Sequence, residues 1–270
     1  FMAPSWKQEE ADIRLTQEAV AFIDNSVNNN PTKPFFLYYS LSAPHIPFTP
    51  PDFIKGASKE GPRGDMNALV DWVVGQIRAE LESKGVLDNT ILIFTSDNGA
   101  RRGANGHNSA GPFRGSKNTA YEGGHRVPFI VRWPGHIEAG ARSDVPISLT
   151  DMIATFAELA NYDLPADAAE DSYPVLPAFF GKEDAATPRP ALIADTSFGD
   201  FSVRSGNWKL VTLNPSPRNG LEQVTYELYD MDQDPYEATN LAAVHPDKVE
   251  QLKQLLDDTR NTGLRFLNRQ

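Results

Sequence analysis

The sequence predicts an α/β fold in which a mostly parallel sheet is flanked by helices and followed by a small antiparallel subdomain. Three observations point to it. Continuous apolar runs at residues 35–41, 90–95 and 127–133 have the pattern of strands buried on both faces, as in a parallel sheet covered by helices. Helical periodicity at residues 12–24, 65–84 and 148–160 alternates with those runs, as βα units require. After about residue 185 the apolar runs shorten and are punctuated by Gly, Asn and Pro, which is the signature of antiparallel hairpins. The expected division is therefore residues 1–184 as α/β core and 185–270 as the smaller subdomain.

In chain order, the first helix is expected over residues 12–24, with Ile13, Ala19, Val20, Phe22 and Ile23 as its apolar positions. A polar loop ending in two prolines leads to Phe35-Phe36-Leu37-Tyr38-Tyr39-Ser40-Leu41, the first expected strand. A second helix repeats apolar residues at Met66, Leu69, Val70, Val73, Ile77 and Leu81. Thr90-Ile91-Leu92-Ile93-Phe94-Thr95 and Val127-Pro128-Phe129-Ile130-Val131-Arg132-Trp133 complete the set of buried strands. In the tail, the strands expected are Ser202-Val203-Arg204, Trp208-Lys209-Leu210-Val211 and Tyr226-Glu227-Leu228-Tyr229, followed by a helix from Asp247 to about Thr259.

Composition narrows the function classes. Hydrophobic residues make up 40% of the 270, enough for a packed core. The formal net charge of −11 argues against a nucleic-acid partner, which needs a basic footprint. It leaves room for an anionic small molecule in a locally basic pocket. There is no cysteine, hence no disulfide and no thiolate metal site. No apolar run approaches the roughly 18 residues of a membrane span, and Phe1-Met2-Ala3-Pro4-Ser5-Trp6 lacks the form of a signal peptide.

Ligands of open α/β sheets bind at the carboxyl ends of strands, so the loops there carry the candidates. His45, between Pro44 and Pro47, sits in a backbone that proline restricts. By itself the pattern favours a histidine simply packed in a proline turn. Ser96-Asp97-Asn98-Gly99 offers the side-chain oxygens that hard cations prefer, and equally suits an Asx turn. Residues 111–128 are glycine-rich and basic, with Lys117 at their centre. An ammonium there can meet an anion, although a lone lysine is usually solvated.

Together these segments resemble the sulfatase family. The ordered set is Pro44-His45-Ile46-Pro47, Thr90 through Ser96-Asp97-Asn98-Gly99, Arg114-Gly115-Ser116-Lys117, Tyr121-Glu122-Gly123-Gly124, Trp133-Pro134-Gly135, Gly206-Asn207-Trp208-Lys209-Leu210, Glu227-Leu228-Tyr229-Asp230 and Asp234-Pro235. The resemblance implies an alkaline-phosphatase-like mixed, mostly parallel sheet and hydrolysis of sulfate esters. It implies Asp97 and Asn98 as metal ligands in a partial Ca2+ site, and His45 and Lys117 as catalytic residues on the sulfate. His45 would also be a general acid toward the leaving alcohol. Gly106-His107-Asn108-Ser109-Ala110-Gly111, with Glu170-Asp171-Ser172, is similar to sulfatases acting on carbohydrate 6-sulfates, which implies His107 and Arg114 as sugar contacts. The family nucleophile is a formylglycine made in a Cys/Ser-x-Pro-x-Arg motif, and this sequence has no such motif. The chain is thus expected to begin near the family's midpoint, with the N-terminal half of the same protein as a partner and a periplasmic or secreted location. Two rival readings are a phosphatase or phosphodiesterase of the same superfamily, and a non-catalytic binder of sulfated glycans. Asn98, where those phosphatases carry a histidine, favours the sulfatase.

Overall fold

The computed structural model describes residues 6–103, 106–165, 167–182 and 189–262. The chain divides into two compact units, residues 1–92 with 132–135, and residues 93–131 with 136–270.

The first unit is built on two helices. Helix α1 (Ala11–Asn29) and helix α2 (Gly61–Ser83) each bury one stripe of side chains. Ala19 and Ile23 of α1 pack with Ile77 and Leu81 of α2, as the 3.6-residue period requires. Burying a side chain such as Ile23, Leu69 or Val73 contributes about 1.5–3 kcal/mol each. Just beyond the first turn of α2, the Asp65 carboxylate accepts from the backbone N–H groups of Gly56 at 3.0 Å and Ser58 at 2.9 Å, which ties down the preceding turn.

Residues 35–41 depart from expectation. No strand forms there, and the segment is not buried on both faces. Phe35, Leu37 and Tyr39 pack on the α1–α2 cluster, while Phe36 and Tyr38 are 69% and 80% exposed. The run is apolar throughout, but its alternate side chains meet different surroundings.

In the second unit, strand β1 (Leu92–Thr95), of which Leu92 itself falls in the first unit, forms a two-stranded sheet with strand β2 (Phe129–Arg132). Short helix α3 (Glu122–His125) lies between them in sequence. Helix α4 (Met152–Leu159) and short helix α5 (Leu176–Phe179) follow, and Val175, Ala178 and Phe179 pack with Ile93, Phe129 and Val131. Asp151, fully buried before α4, accepts from Ser148 N at 2.7 Å and Tyr173 N at 3.0 Å and pairs with Arg189.

The larger sheet contains strands β3 (Leu192–Asp195), β4 (Phe201–Ser205), β5 (Trp208–Leu213) and β6 (Thr225–Asp230) in sequence order. All three of its pairings are antiparallel, the direction expected of the tail, and because this is the larger sheet among the described residues the expectation of a mostly parallel sheet is overturned. The physical reason lies in the connections, which join neighbouring strands directly, through Gly206-Asn207 between β4 and β5 and through loops at 196–200 and 214–224, without the crossover that parallel pairing needs. Helix α6 (Pro246–Thr262) covers one face, where Leu252 and Leu256 pack with Val203, Leu210 and Leu228. On the other face, Val211 and Tyr229 pack with Ala120 and Tyr121.

Candidate active site

His45 lies in the first unit, in the turn after residues 35–41. The turn is anchored from α1. Asp12, 2% exposed, accepts from Ser42 N at 2.8 Å, Ser42 Oγ at 2.8 Å and Ala43 N at 2.9 Å. His45 N then donates to Ser42 O at 2.9 Å, and the imidazole is exposed with Nδ1 2.7 Å from Ile46 O. One buried carboxylate thus fixes the backbone two residues before the histidine and leaves its ring facing solvent.

The second unit holds Asp97, Asn98, His107, Arg114 and Lys117. After β1 the chain bends at Asp97 and Asn98, and backbone bonds lock the bend from two sides. Gly99 N donates to Gly124 O at 2.9 Å and Lys117 N donates to Ala100 O at 3.0 Å. The structure therefore brings the Lys117 backbone beside the Asp97-Asn98 turn. Glycine makes this approach possible. A Cβ on Gly99 would lie 2.1 Å from Gly123 O, and one on Gly124 would lie 2.0 Å from Thr119 O. The Lys117 ammonium is half-buried, with no acidic partner among the described residues.

Beneath this loop is a buried ion cluster. Lys209 of β5, 1% exposed, places Nζ 2.7 Å from Glu122 Oε1 and 2.7 Å from Glu237 Oε1. Glu237 also accepts from Glu122 N at 2.8 Å, and His125 Nε2 lies 3.3 Å from Lys209 Nζ. Burial opposes the Glu122 charge, yet the His125 hydrogen bond and the Lys209 ammonium hold its carboxyl well below the usual range. Burial pushes Glu237 up despite the same ammonium. One lysine thus serves two carboxylates, and Arg126 Nη1 adds a second cation 3.2 Å from Glu122 Oε2.

Arg114 is committed to protein contacts. Its guanidinium donates to the Tyr229 hydroxyl, to Glu237 O at 3.2 Å and to Tyr121 Oη at 3.0 Å, lies 3.1 Å from Glu227 and stacks 4.0 Å from the Tyr121 ring centroid. Burial and the neighbouring Glu227 carboxylate push both tyrosine hydroxyls far above their ordinary value, so they remain neutral partners. His107 is half-buried, and its carbonyl accepts from Gly103 N at 3.2 Å.

The residues do not fit the expected partial Ca2+ site. Among the described residues there is no group of three or more His, Cys, Asp or Glu able to hold a metal ion. Asp97 is an exposed single carboxylate, and the Asn98 amide donates to Gly99 O at 3.3 Å. Calcium takes six to eight oxygen ligands, and this turn supplies two side chains, so the assignment is withdrawn.

Asp12 and Glu237 lie outside the motifs named from the sequence, and Glu122 and Lys209 lie inside them with no role assigned. A signal for one was present: Lys209 interrupts the apolar run Trp208-Lys209-Leu210-Val211, and lysine is almost never buried without a partner.

Comparison with known proteins adds four findings. The sulfatase family model matches residues 3–162. An N-acetylgalactosamine-6-O-sulfatase of Bacteroides thetaiotaomicron is 35% identical over 94% of this chain and 52% of its own length. Human arylsulfatase A is 33% identical over 83% of this chain and 48% of its own length. A solved structure from work on the metabolism of multiple glycosaminoglycans by Bacteroides thetaiotaomicron superposes with TM-score 0.84 at 33% identity, over 95% of this chain and 55% of its own. The chain spans about half the length of these relatives. No helix among the described residues is long and apolar enough to cross a membrane.

Proposed function

Because the chain belongs to the sulfatase family, we propose that it supplies part of a sulfuric ester hydrolase whose substrates are sulfated carbohydrates. The observation that carries this reading is Lys117, an ammonium without an acidic partner among the described residues, on a loop locked to the Asp97-Asn98 turn. Cleavage of a sulfate ester moves negative charge onto the bridging oxygen. A cation fixed beforehand lowers that barrier because it does not reorganise during the reaction. In this reading Lys117 binds the sulfate and offsets its charge, and His45 gives a proton to the leaving alcohol. The 6-sulfated hexosamine of the Bacteroides relative is the substrate class we carry over.

Neither residue attacks sulfur, and the sequence has no cysteine and no Cys/Ser-x-Pro-x-Arg motif. The proposal therefore assigns no turnover to these 270 residues by themselves. The test fuses the N-terminal half of the Bacteroides relative ahead of Phe1 and measures hydrolysis of 6-sulfated N-acetylgalactosamine and of the corresponding phosphate. The fusion should cleave the sulfate, and Lys117→Ala should lower kcat by about 10²–10³-fold. The unfused chain should match its own Lys117→Ala variant. Turnover by the unfused chain, or preference for the phosphate, would overturn the reading.

A further inference from the structure

A cavity lies on the α6 face of the larger sheet, opposite the face that packs on Tyr121. Phe201, Thr212 and Tyr226 form one rung across β4, β5 and β6. Side chains alternate along a strand, so this rung shares the α6 side with Val203, Leu210 and Leu228. The next residues in register, Val211 and Glu227, face the other way, toward Tyr121 and Arg114. Where the apolar contact of α6 ends, the rung opens into a cavity of about 150 Å³, walled by Lys253, Asp257 and Arg260. Drug-sized pockets run to roughly 300–1,000 Å³, so this one suits a single small ring.

Its polar groups are poised for a ligand. Thr212 is 7% exposed, lines the cavity, and its Oγ1 is buried without a hydrogen-bond partner. Leaving such a hydroxyl unsatisfied is costly. The Arg260 guanidinium rests 4.9 Å from the Phe201 ring centroid and has no carboxylate partner among the described residues. Lys253 pairs at 2.7 Å with Glu250, whose side chain is 72% exposed, and so exposed a pair is easily shared with a third group. Its ammonium also lies 5.1 Å from the Tyr226 ring centroid. Asp257 is an exposed acceptor at the rim.

We propose that this cavity is a non-catalytic subsite for one pyranose unit carrying a sulfate or carboxylate. The apolar face of the sugar meets Tyr226 and Phe201 once Lys253 and Arg260 swing from those rings to the anionic group. The anionic group takes the planar fork of Arg260, with Lys253 beside it. Ring hydroxyls bond Asp257 and, after rotation about the Thr212 Cα–Cβ bond, the otherwise buried Thr212 Oγ1. A free anion would leave the aromatic rung and Asp257 unused, and a neutral sugar would leave Arg260 unused. Such a subsite would grip a second unit of an anionic glycan, and it is independent of whether this chain takes part in hydrolysis.

The experiment is a residue-resolved NMR titration of the 270-residue chain with galactose 6-sulfate, glucuronic acid, galactose and sodium sulfate. We expect at least one of the two anionic sugars to shift Phe201, Thr212 and Tyr226 saturably. Galactose and sodium sulfate should each bind about tenfold more weakly, the factor expected for losing one charge-assisted contact or the ring contact. Arg260→Ala should weaken the anionic sugar about tenfold and Thr212→Val about threefold or more, with far-ultraviolet spectra unchanged. The two anionic sugars separate sulfate from carboxylate as the recognised group. Sodium sulfate binding as tightly as the sugars would overturn the proposal, as would an unchanged affinity in Thr212→Val, which would leave only a water on that hydroxyl. Shifts confined to residues 111–125 would overturn it too, while leaving the hydrolase reading untouched.

Discussion

The turn that carries His45 hangs on one carboxylate, whereas the loop that carries Lys117 is locked by backbone contact over a buried ion cluster. In the first unit, Asp12 collects three donors from Ser42 and Ala43, and the turn beyond them is exposed. In the second, Gly99 and Gly124 let two backbone segments touch, and Glu122, Lys209 and Glu237 fill the space below. The difference concerns how each loop can fail. A carboxylate clamp loses strength in increments, one hydrogen bond at a time. A glycine lock over paired charges admits no small error, because added atoms clash and a missing charge leaves its partners buried and uncompensated.

The largest expected effect therefore comes from Lys209. Lys209→Met removes the cation that Glu122 and Glu237 share and should cost about 3–5 kcal/mol in denaturant unfolding, the range for breaking a buried pair from one side. Adding Glu122→Gln and Glu237→Gln to Lys209→Met should recover most of that loss, since the orphaned charges go with it. A Lys209→Met chain as stable as the parent would show that the cluster is not what supports the loop. The same cluster predicts an acid dependence. The Glu122 carboxyl lies below its ordinary 4.5 in the folded chain, so its contribution is complete above that pH and is lost as pH falls beneath it. The raised Glu237 has the opposite slope in a different window, its contribution being complete below 4.5 and lost as pH rises through its folded value. Glu122→Gln should flatten the acid limb of stability below pH 4.5.

Gly124→Ala comes next, at about 2–3 kcal/mol. Its new Cβ would sit 2.0 Å from Thr119 O and 3.0 Å from Ser116 O, both backbone atoms that cannot rotate away. Hydrogen exchange should show the Lys117 amide losing the protection given by Ala100 O. The Ser42 amide should keep its own, and equal loss at both would break the comparison. Asp12→Asn should cost about 1.5–2 kcal/mol. The variant keeps the shape of the side chain, but its amide turns two hydrogens toward a site where Ser42 and Ala43 offer donors. Here Ser42 and Ala43 should exchange faster while Lys117 is unchanged.

How much of this was legible in the sequence follows from the range of each interaction. Helices α1, α2 and α6 fall where the 3.6-residue pattern placed them, because that pattern is local. β1 and β2 lie within the apolar runs that marked them. The antiparallel direction of the tail was legible in its Gly, Asn and Pro turns, whereas the sheet expected of the α/β core was not, since it depends on which strands meet, and residues 35–41 show that an apolar run can leave Tyr38 almost bare. At the site, Lys117 and Asp97 could be found as chemistry-bearing residues on loops after a strand. Their support could not, because Asp12 reaches 30 residues ahead to Ser42 and Lys209 reaches 87 back to Glu122. Arg114 was named as a sugar contact by resemblance alone, and nothing in the sequence signalled the partners it has in the fold, Tyr121, Tyr229, Glu227 and the Glu237 carbonyl.

The smallest effect should come from Tyr39→Phe, which separates the carboxylate clamp from the packing around it. The Tyr39 ring packs on the α1–α2 cluster, and phenylalanine keeps that contact. The hydroxyl lies 2.8 Å from Thr16 Oγ1 and donates to Asp12 O at 3.1 Å, so its loss removes about 1 kcal/mol, the net value of a neutral hydrogen bond. No buried acceptor is stranded, because Thr16 Oγ1 still donates to Asp12 O at 2.6 Å. The Asp12 carboxylate is untouched, so Ser42 and Ala43 should stay as protected as in the parent. If their exchange quickens as much as in Asp12→Asn, the turn depends on the whole Thr16–Tyr39–Asp12 network rather than on one carboxylate, and the two loops are more alike than their geometry indicates.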